Sequence, residues 1–254
     1  MKAMFWTGIG VAAAVLAGVA SGQAPAAGGG APAPAPKLRV LLTYGGHGFQ
    51  EKEFFAMWDA LPGVVYERAP LPQSADRLKP GLEKEFDVVA MYDMAATFTP
   101  EQQKAAAELF QSGIGLVSLH HNLGAQRDWD GWRLIVGGKY IFKEATYDGK
   151  KYVPSTYSHD EDMPIEIADR EHPITAGMKD FTIHDETYGG CRVEPGVRVL
   201  LRTRHPKNTP EVMWVRENGR SRVVYLQLGH DAKAWANPAF PELLIRSLRW
   251  SAPR

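Results

Sequence analysis

The apolar run Gly115-Leu116-Val117-Ser118-Leu119 ends directly in His120-His121-Asn122. Such a run reads as a buried strand, and open α/β sheets place ligands at the carboxyl ends of their strands. Two adjacent imidazoles there can bind a metal, move a proton or grip a polar substrate. A lone histidine at such a place can also do no more than satisfy backbone in a tight turn. The recurrence of the pattern argues for more: His47 follows the run at 38–43, and His230 follows the run at 222–228. In Ile183-His184-Asp185-Glu186-Thr187-Tyr188, an extended backbone would set His184 and Glu186 on one face and Asp185 on the other. A His and a Glu on one face form a candidate acid/base or metal pair. His159 lies in a long excursion and can cover the site as a lid. His172 and His205 each precede a proline, read as turns, and are left outside the site.

Aromatic residues flank these polar ones: Tyr44, Phe49, Trp129, Trp132, Tyr140, Tyr188 and Trp235. Aromatic faces beside hydrogen-bonding groups suit sugar rings, which stack through their C–H faces; the alternative for Trp132 and Trp235 is the core. No HExxH, CxxC, GxGxxG, P-loop or GxSxG pattern occurs, so a metal would have to be assembled from separate loops. Cys191 is the single cysteine, which excludes an intrachain disulfide.

The elements that must position these residues alternate. Residues 38–43 read as a strand, 51–61 as a helix, and 64–66 and 87–92 as strands. Thr99-Pro100-Glu101-Gln102 opens a helix with Thr at the N-cap, Pro at N1 and Gln at N3, and Gly113 stops it. Strand, helix and strand in this order imply parallel βαβ units, whose carboxyl ends share one edge. His47, Asp93 and His120-His121 would then meet. Beyond an aromatic helix within 124–138, residues 139–162 show little periodicity and read as a long excursion. Strands are expected at 164–168 and 198–202. A hairpin is expected from 212–216 and 222–228 around Asn218-Gly219, and a final helix after Pro238.

Residues 1–22 have a basic Lys2, an apolar stretch and small residues near a cleavage point, the pattern of a secretory signal. An uncleaved anchor is the alternative, since the stretch approaches the ~18 residues that span a bilayer. Residues 23–36 are Ala, Pro and Gly around one Gln and read as a spacer. The folded domain is expected over 37–254, in an exported protein, periplasmic or extracellular, with no stable membrane insertion after cleavage. Of 29 Lys and Arg only Lys2 precedes Lys37, so the domain sets 28 basic against 29 acidic residues, a formal charge of −1. No basic run marks a nucleic-acid partner.

Together, Tyr44-Gly45-Gly46-His47, Ser118-Leu119-His120-His121, Trp132 with Gly137-Gly138, His172-Pro173-Ile174-Thr175, His184-Asp185-Glu186-Thr187-Tyr188 and Gln227-Leu228-Gly229-His230 resemble the ThuA-like family, named for trehalose utilisation. The resemblance runs from about Leu38 to Trp250. It implies an α/β, flavodoxin-like fold with an open, mainly parallel sheet and helices on both faces, related to class I glutamine amidotransferases. Where those enzymes carry a catalytic Cys at the elbow after a strand, this chain has His120, so amidotransferase chemistry is not expected. The family is associated with sugar metabolism, including disaccharides oxidised to keto-sugars.

The expectation is an enzyme acting on a carbohydrate or keto-sugar, with His120 and Glu186 as acid/base residues. His47, His121, His184, His230, Tyr188, Trp132 and His159 would bind substrate. A divalent metal such as zinc is the variant, with His47, His120, His121, His184 and His230 as candidate ligands. A non-catalytic sugar-binding module of the cell envelope is the alternative, a structural partner of another sugar enzyme a weaker one, and a homo-oligomer is allowed.

Overall fold

Residues 38–45 form a strand whose alternate side chains are buried on both faces. Val40 and Leu42 join one hydrophobic core, and Leu41 joins another. The computed structural model of the protein describes residues 37–94 and 98–253, together with Met1, Phe5, Thr7 and Gly8. Apart from those last four residues, the expected signal and spacer lie outside the described residues. Among the described residues, no helix is long and apolar enough to cross a membrane.

Along the chain the elements are β1 (Leu38–Gly45), α1 (Glu51–Asp59), β2 (Val64–Pro70), β3 (Val88–Asp93), α2 (Pro100–Leu109), β4 (Gly115–Leu119), α3 (Asp130–Val136), β5 (Gly138–Lys139), β6 (Ala145–Tyr147), β7 (Lys150–Tyr152), β8 (Thr156–Ile167), β9 (Phe181–Gly189), β10 (Arg192–Val193), β11 (Arg198–Thr203), β12 (Glu211–Asn218), β13 (Ser221–Leu226), α4 (Ala232–Ala236) and α5 (Ala239–Ser251). Nine of the strands form one sheet in the order β2-β1-β3-β4-β13-β12-β11-β8-β9. Helices α1, α4 and α5 supply Phe54, Trp58, Trp235, Leu244 and Leu248 to the core on one face. Helices α2 and α3 supply Leu109, Trp132 and Ile135 to the core on the other. The expected cap of α2 forms: the Thr99 side chain accepts from the Gln102 N–H, and the Gln102 side chain accepts from the Thr99 N–H at 3.0 Å.

The α/β class stands, and the sheet is mixed. Strands β2, β1, β3, β4 and β13 are parallel; β12, β11, β8 and β9 pair antiparallel. The reason is local: β12 and β13 are joined by the tight Asn218-Gly219 hairpin, which can only reverse direction. The expected excursion at 139–162 is also more regular than its sequence pattern. It holds the β6–β7 hairpin and the first half of β8, whose residues 156–162 are polar and mostly solvent-facing and so lack an apolar alternation.

Between the pairs Ser158–Thr187 and Glu161–Asp185 the register of β8 slips by one residue. His159 and Asp160 therefore stand together opposite Glu186, as in a β-bulge. Asp160 has φ +55°, a left-handed backbone that Asp tolerates better than most residues. Its carboxylate pairs with Lys233 of α4 at 2.7 Å and with His184 at 3.1 Å.

Candidate functional site

The carboxyl ends of β1, β3, β4 and β13 lead into the loops that carry the candidate residues. His120 is the first residue after β4 and has φ +49°, a strained backbone for a non-glycine residue. It opens the tight turn His120–Gly124, so the strand breaks sharply at this imidazole. A hydrogen-bonded girdle holds the turn. Ser118 Oγ donates to Asn122 Oδ1 at 2.6 Å, and Asn122 Nδ2 donates to the Asp93 carbonyl at 3.0 Å. Thr43 Oγ1 donates to the Asp93 carboxylate at 2.6 Å, which ties the ends of β1, β3 and β4 together. Tyr225 of β13 donates to the His120 carbonyl at 3.0 Å.

His230 is set by the residue before it and by a buried carboxylate. Gly229 has φ +113°, and a Cβ there would meet Phe240 at 2.6 Å, so only glycine fits this corner. Asp185 accepts three main-chain N–H groups, from Glu186 at 2.8 Å, Gly229 at 2.7 Å and His230 at 2.9 Å. Burial raises the Asp185 carboxyl, and His120 and those three N–H groups pull against that rise. The carbonyl of Gly229 accepts from Trp235 Nε1 at 2.8 Å and from the Tyr92 hydroxyl at 3.1 Å.

Three side chains from three elements then converge. His120 Nε2 lies 3.1 Å from Glu186 Oε2 and 3.2 Å from His230 Nδ1, and His230 Nδ1 lies 3.4 Å from Glu186 Oε2. Among the described residues, these are the histidine and carboxylate ligand atoms that come together in a trio. His120 Nδ1 donates to the Gln227 carbonyl at 2.6 Å, and the Tyr188 hydroxyl lies 2.9 Å from His120 Nε2. From the bulge of β8, His159 Nδ1 reaches the other Glu186 oxygen at 3.2 Å. Burial would raise the Glu186 carboxyl, but the hydrogen bonds and charge of His120 and His230 outweigh it and hold it far below the usual range. For His230 burial works downward and Glu186 outweighs it, so its value is raised. Burial pushes the Tyr188 hydroxyl well up, which keeps it a proton donor.

Glu186 lines a cleft of about 220 Å³ together with His47, His121, Tyr140, His159 and Tyr188. His121 is 5% exposed, and neither ring nitrogen has a hydrogen-bond partner. Its ring lies against Tyr92, with centroids 4.4 Å apart, and stacks on His47 at 4.9 Å. Burial drives its value well below 6.5, so the ring is neutral and offers one donor and one acceptor.

Two residues expected at the site lie elsewhere. Trp132 is in the core between α3 and the sheet, where its Nε1 donates to the Asn122 carbonyl at 3.4 Å; it supports the turn from behind. His184 shares a strand face with Glu186, but its ring turns to Asp162 at 2.8 Å and Asp160 at 3.1 Å, outside the trio. The side chains of Asp185, Asn122 and Thr43 stand out only in the structure. Asp185 had a sequence signal, an acidic residue facing the core side of an alternating strand, while Asn122 simply followed the two histidines. Cys191 is buried, and burial pushes its thiol up to about 12, so it supplies no thiolate.

Solved structures share this architecture. A ThuA-like protein from Parabacteroides merdae superposes with TM-score 0.70 at 16% identity, over 85% of this chain and 90% of that one. A cytoplasmic protein from Salmonella typhimurium LT2 gives 0.57 at 10% identity, over 85% of this chain and 100% of its own. The cold-adapted β-galactosidase from Rahnella sp. R3 gives 0.56 at 12% identity, over 86% of this chain and 32% of that enzyme. At these identities the likeness is one of fold. No curated protein matches the sequence. Residues 74–251 match the family model ThuA, trehalose utilisation, and the chain belongs to that family.

Proposed function

We propose that the protein is an exported enzyme acting on a carbohydrate, a disaccharide or its keto-sugar form, at the cleft that Glu186 lines. The observation that carries the reading is the convergence of His120, Glu186 and His230 within 3.1–3.4 Å at a cleft lined by tyrosine and histidine. Glu186 is ionised and is the base; His120, held by Gln227, relays or returns the proton. Tyr188 donates from the side, and His159 steadies the second Glu186 oxygen. His121 and His47 offer ring nitrogens to sugar hydroxyls, and Tyr140 offers an aromatic face. The family's description as trehalose utilisation supports a carbohydrate as the ligand class. Export rests on the signal pattern of residues 1–22.

The test is a turnover screen of purified protein against oxidised and unoxidised disaccharides, with cell fractionation for location. Glu186→Gln is expected to lower turnover by about 100-fold or more, since acid/base groups contribute about 10²–10⁴. Sugar affinity that survives Glu186→Gln, with no product from either protein, would favour a binding module instead.

A further inference from the structure

The His120 ring is locked in one tautomer. The Gln227 carbonyl only accepts, so the Nδ1 atom 2.6 Å from it carries the hydrogen. Nε2 of the neutral ring then presents a lone pair. That lone pair faces Glu186 Oε2 at 3.1 Å, His230 Nδ1 at 3.2 Å and the Tyr188 hydroxyl at 2.9 Å. One lone pair, or one proton, cannot serve all three neighbours. Electron-rich atoms gathered around one point are what a cation requires.

We propose that His120 Nε2, His230 Nδ1 and Glu186 Oε2 bind one divalent first-row metal ion, with zinc as the ion their chemistry suits. Two imidazoles and one carboxylate with open positions form a donor set of catalytic zinc. Donors held about 2.1 Å from zinc lie about 3.0–3.4 Å from one another, depending on octahedral or tetrahedral geometry. The distances here, 3.1, 3.2 and 3.4 Å, span that interval without any movement of the side chains. The Gln227 carbonyl supplies the outer hydrogen bond that metal-binding imidazoles commonly have. The open positions would face the cleft, where buried His121 keeps two unpartnered nitrogens for the ligand's hydroxyl groups. A sugar carbonyl or vicinal hydroxyl pair fits that combination.

This inference rests on the cleft of the proposed activity and gives His120 and Glu186 Oε2 a different task there, holding an ion rather than moving a proton; its test reads the ion itself. The purified full chain is stripped with a chelator and titrated with Zn²⁺ and with Co²⁺. One ion per chain is expected, with visible cobalt d–d bands and an X-ray absorption spectrum showing two imidazoles and oxygen. His230→Ala should weaken binding by about 100-fold or more, while His184→Ala leaves it unchanged. The spectrum of the unmutated protein keeps the test decisive if a variant fails to fold. An absence of saturable binding, a spectrum without imidazole, or an affinity untouched by both His230→Ala and Glu186→Gln overturns the proposal. Sugar turnover by protein that shows no saturable metal binding would overturn it and leave the acid/base reading standing. A bound ion without sugar turnover would do the reverse.

Discussion

The site depends most on one residue that never faces the cleft. Asp185 gathers the N–H groups of Glu186, Gly229 and His230 on a single buried carboxylate, so it fixes two of the three converging side chains at once. Asn at this position has one oxygen for three donors, and its amide nitrogen would meet an N–H. Asp185→Asn is expected to cost about 2–3 kcal/mol, the penalty for unsatisfied buried donors, as read by urea unfolding. It should also loosen His230 and so weaken ligand binding at the cleft. His120 shows the same economy of position. Its strained backbone persists because Gln227, Tyr225 and the Asn122 girdle hold both its ring and its carbonyl.

At the scale of elements, the second half of the chain is fastened by charge as well as by apolar packing. Glu194 sits between Arg133 of α3 and Arg192 of β10, with Arg133 Nη1 at 2.5 Å. Arg192 also reaches Asp148 in the β6–β7 turn at 2.6 Å, and both guanidinium groups lie over Tyr147. These contacts tie the excursion to α3. Burial raises the Glu194 carboxyl, and the two arginines outweigh this and hold it below 4.5. A depressed value means that the stabilisation is fully present above the ordinary value and lost as pH falls through the folded one. Glu194→Gln is therefore expected to cost about 1.5–3 kcal/mol near neutral pH, because Arg133 and Arg192 lose the carboxylate they share and keep only those of Asp130 and Asp148. The gap between the two proteins should shrink as the medium is acidified below the ordinary glutamate range. Urea unfolding at a series of pH values measures it.

For the whole molecule, the first described core residue is Val40, and both cores lie on either side of one sheet. Among the described residues, the members of both cores all lie between Leu38 and Ala252. A chain beginning at Lys37 is expected to unfold cooperatively with the midpoint of the full chain; a clear loss would show that residues 1–36 contribute to the fold. The sheet also explains how edge strand β9 serves the centre. β9 is separated from β4 by four strands in sheet order, yet Glu186 touches His120. The β11–β12 connection bridges the gap: Asn208 Oδ1 accepts from the Tyr188 N–H at 2.7 Å and from Gln227 Nε2 at 2.8 Å. The proposed site thus draws on both the parallel and the antiparallel parts of the sheet, not one motif.

The sequence by itself determined the features that depend on near neighbours. The helix opening at Thr99, the Asn218-Gly219 hairpin, the buried parallel strands and the histidines at their ends are set by capping, turn chemistry and apolar period. Tertiary structure decided which of those histidines meet. His120 and His230 are 110 positions apart and share one contact, while His184, two residues from Glu186, turns away to Asp160 and Asp162. Trp132 stood next to the candidate residues in sequence and went into the core, because α3 packs its apolar side on the sheet. A polar stretch such as 156–162 gave no period to read, since its pairing with β9 and its bulge are fixed by the partner strand. Spacing along the chain limits what a side chain can be near only within an element; between elements, packing decides.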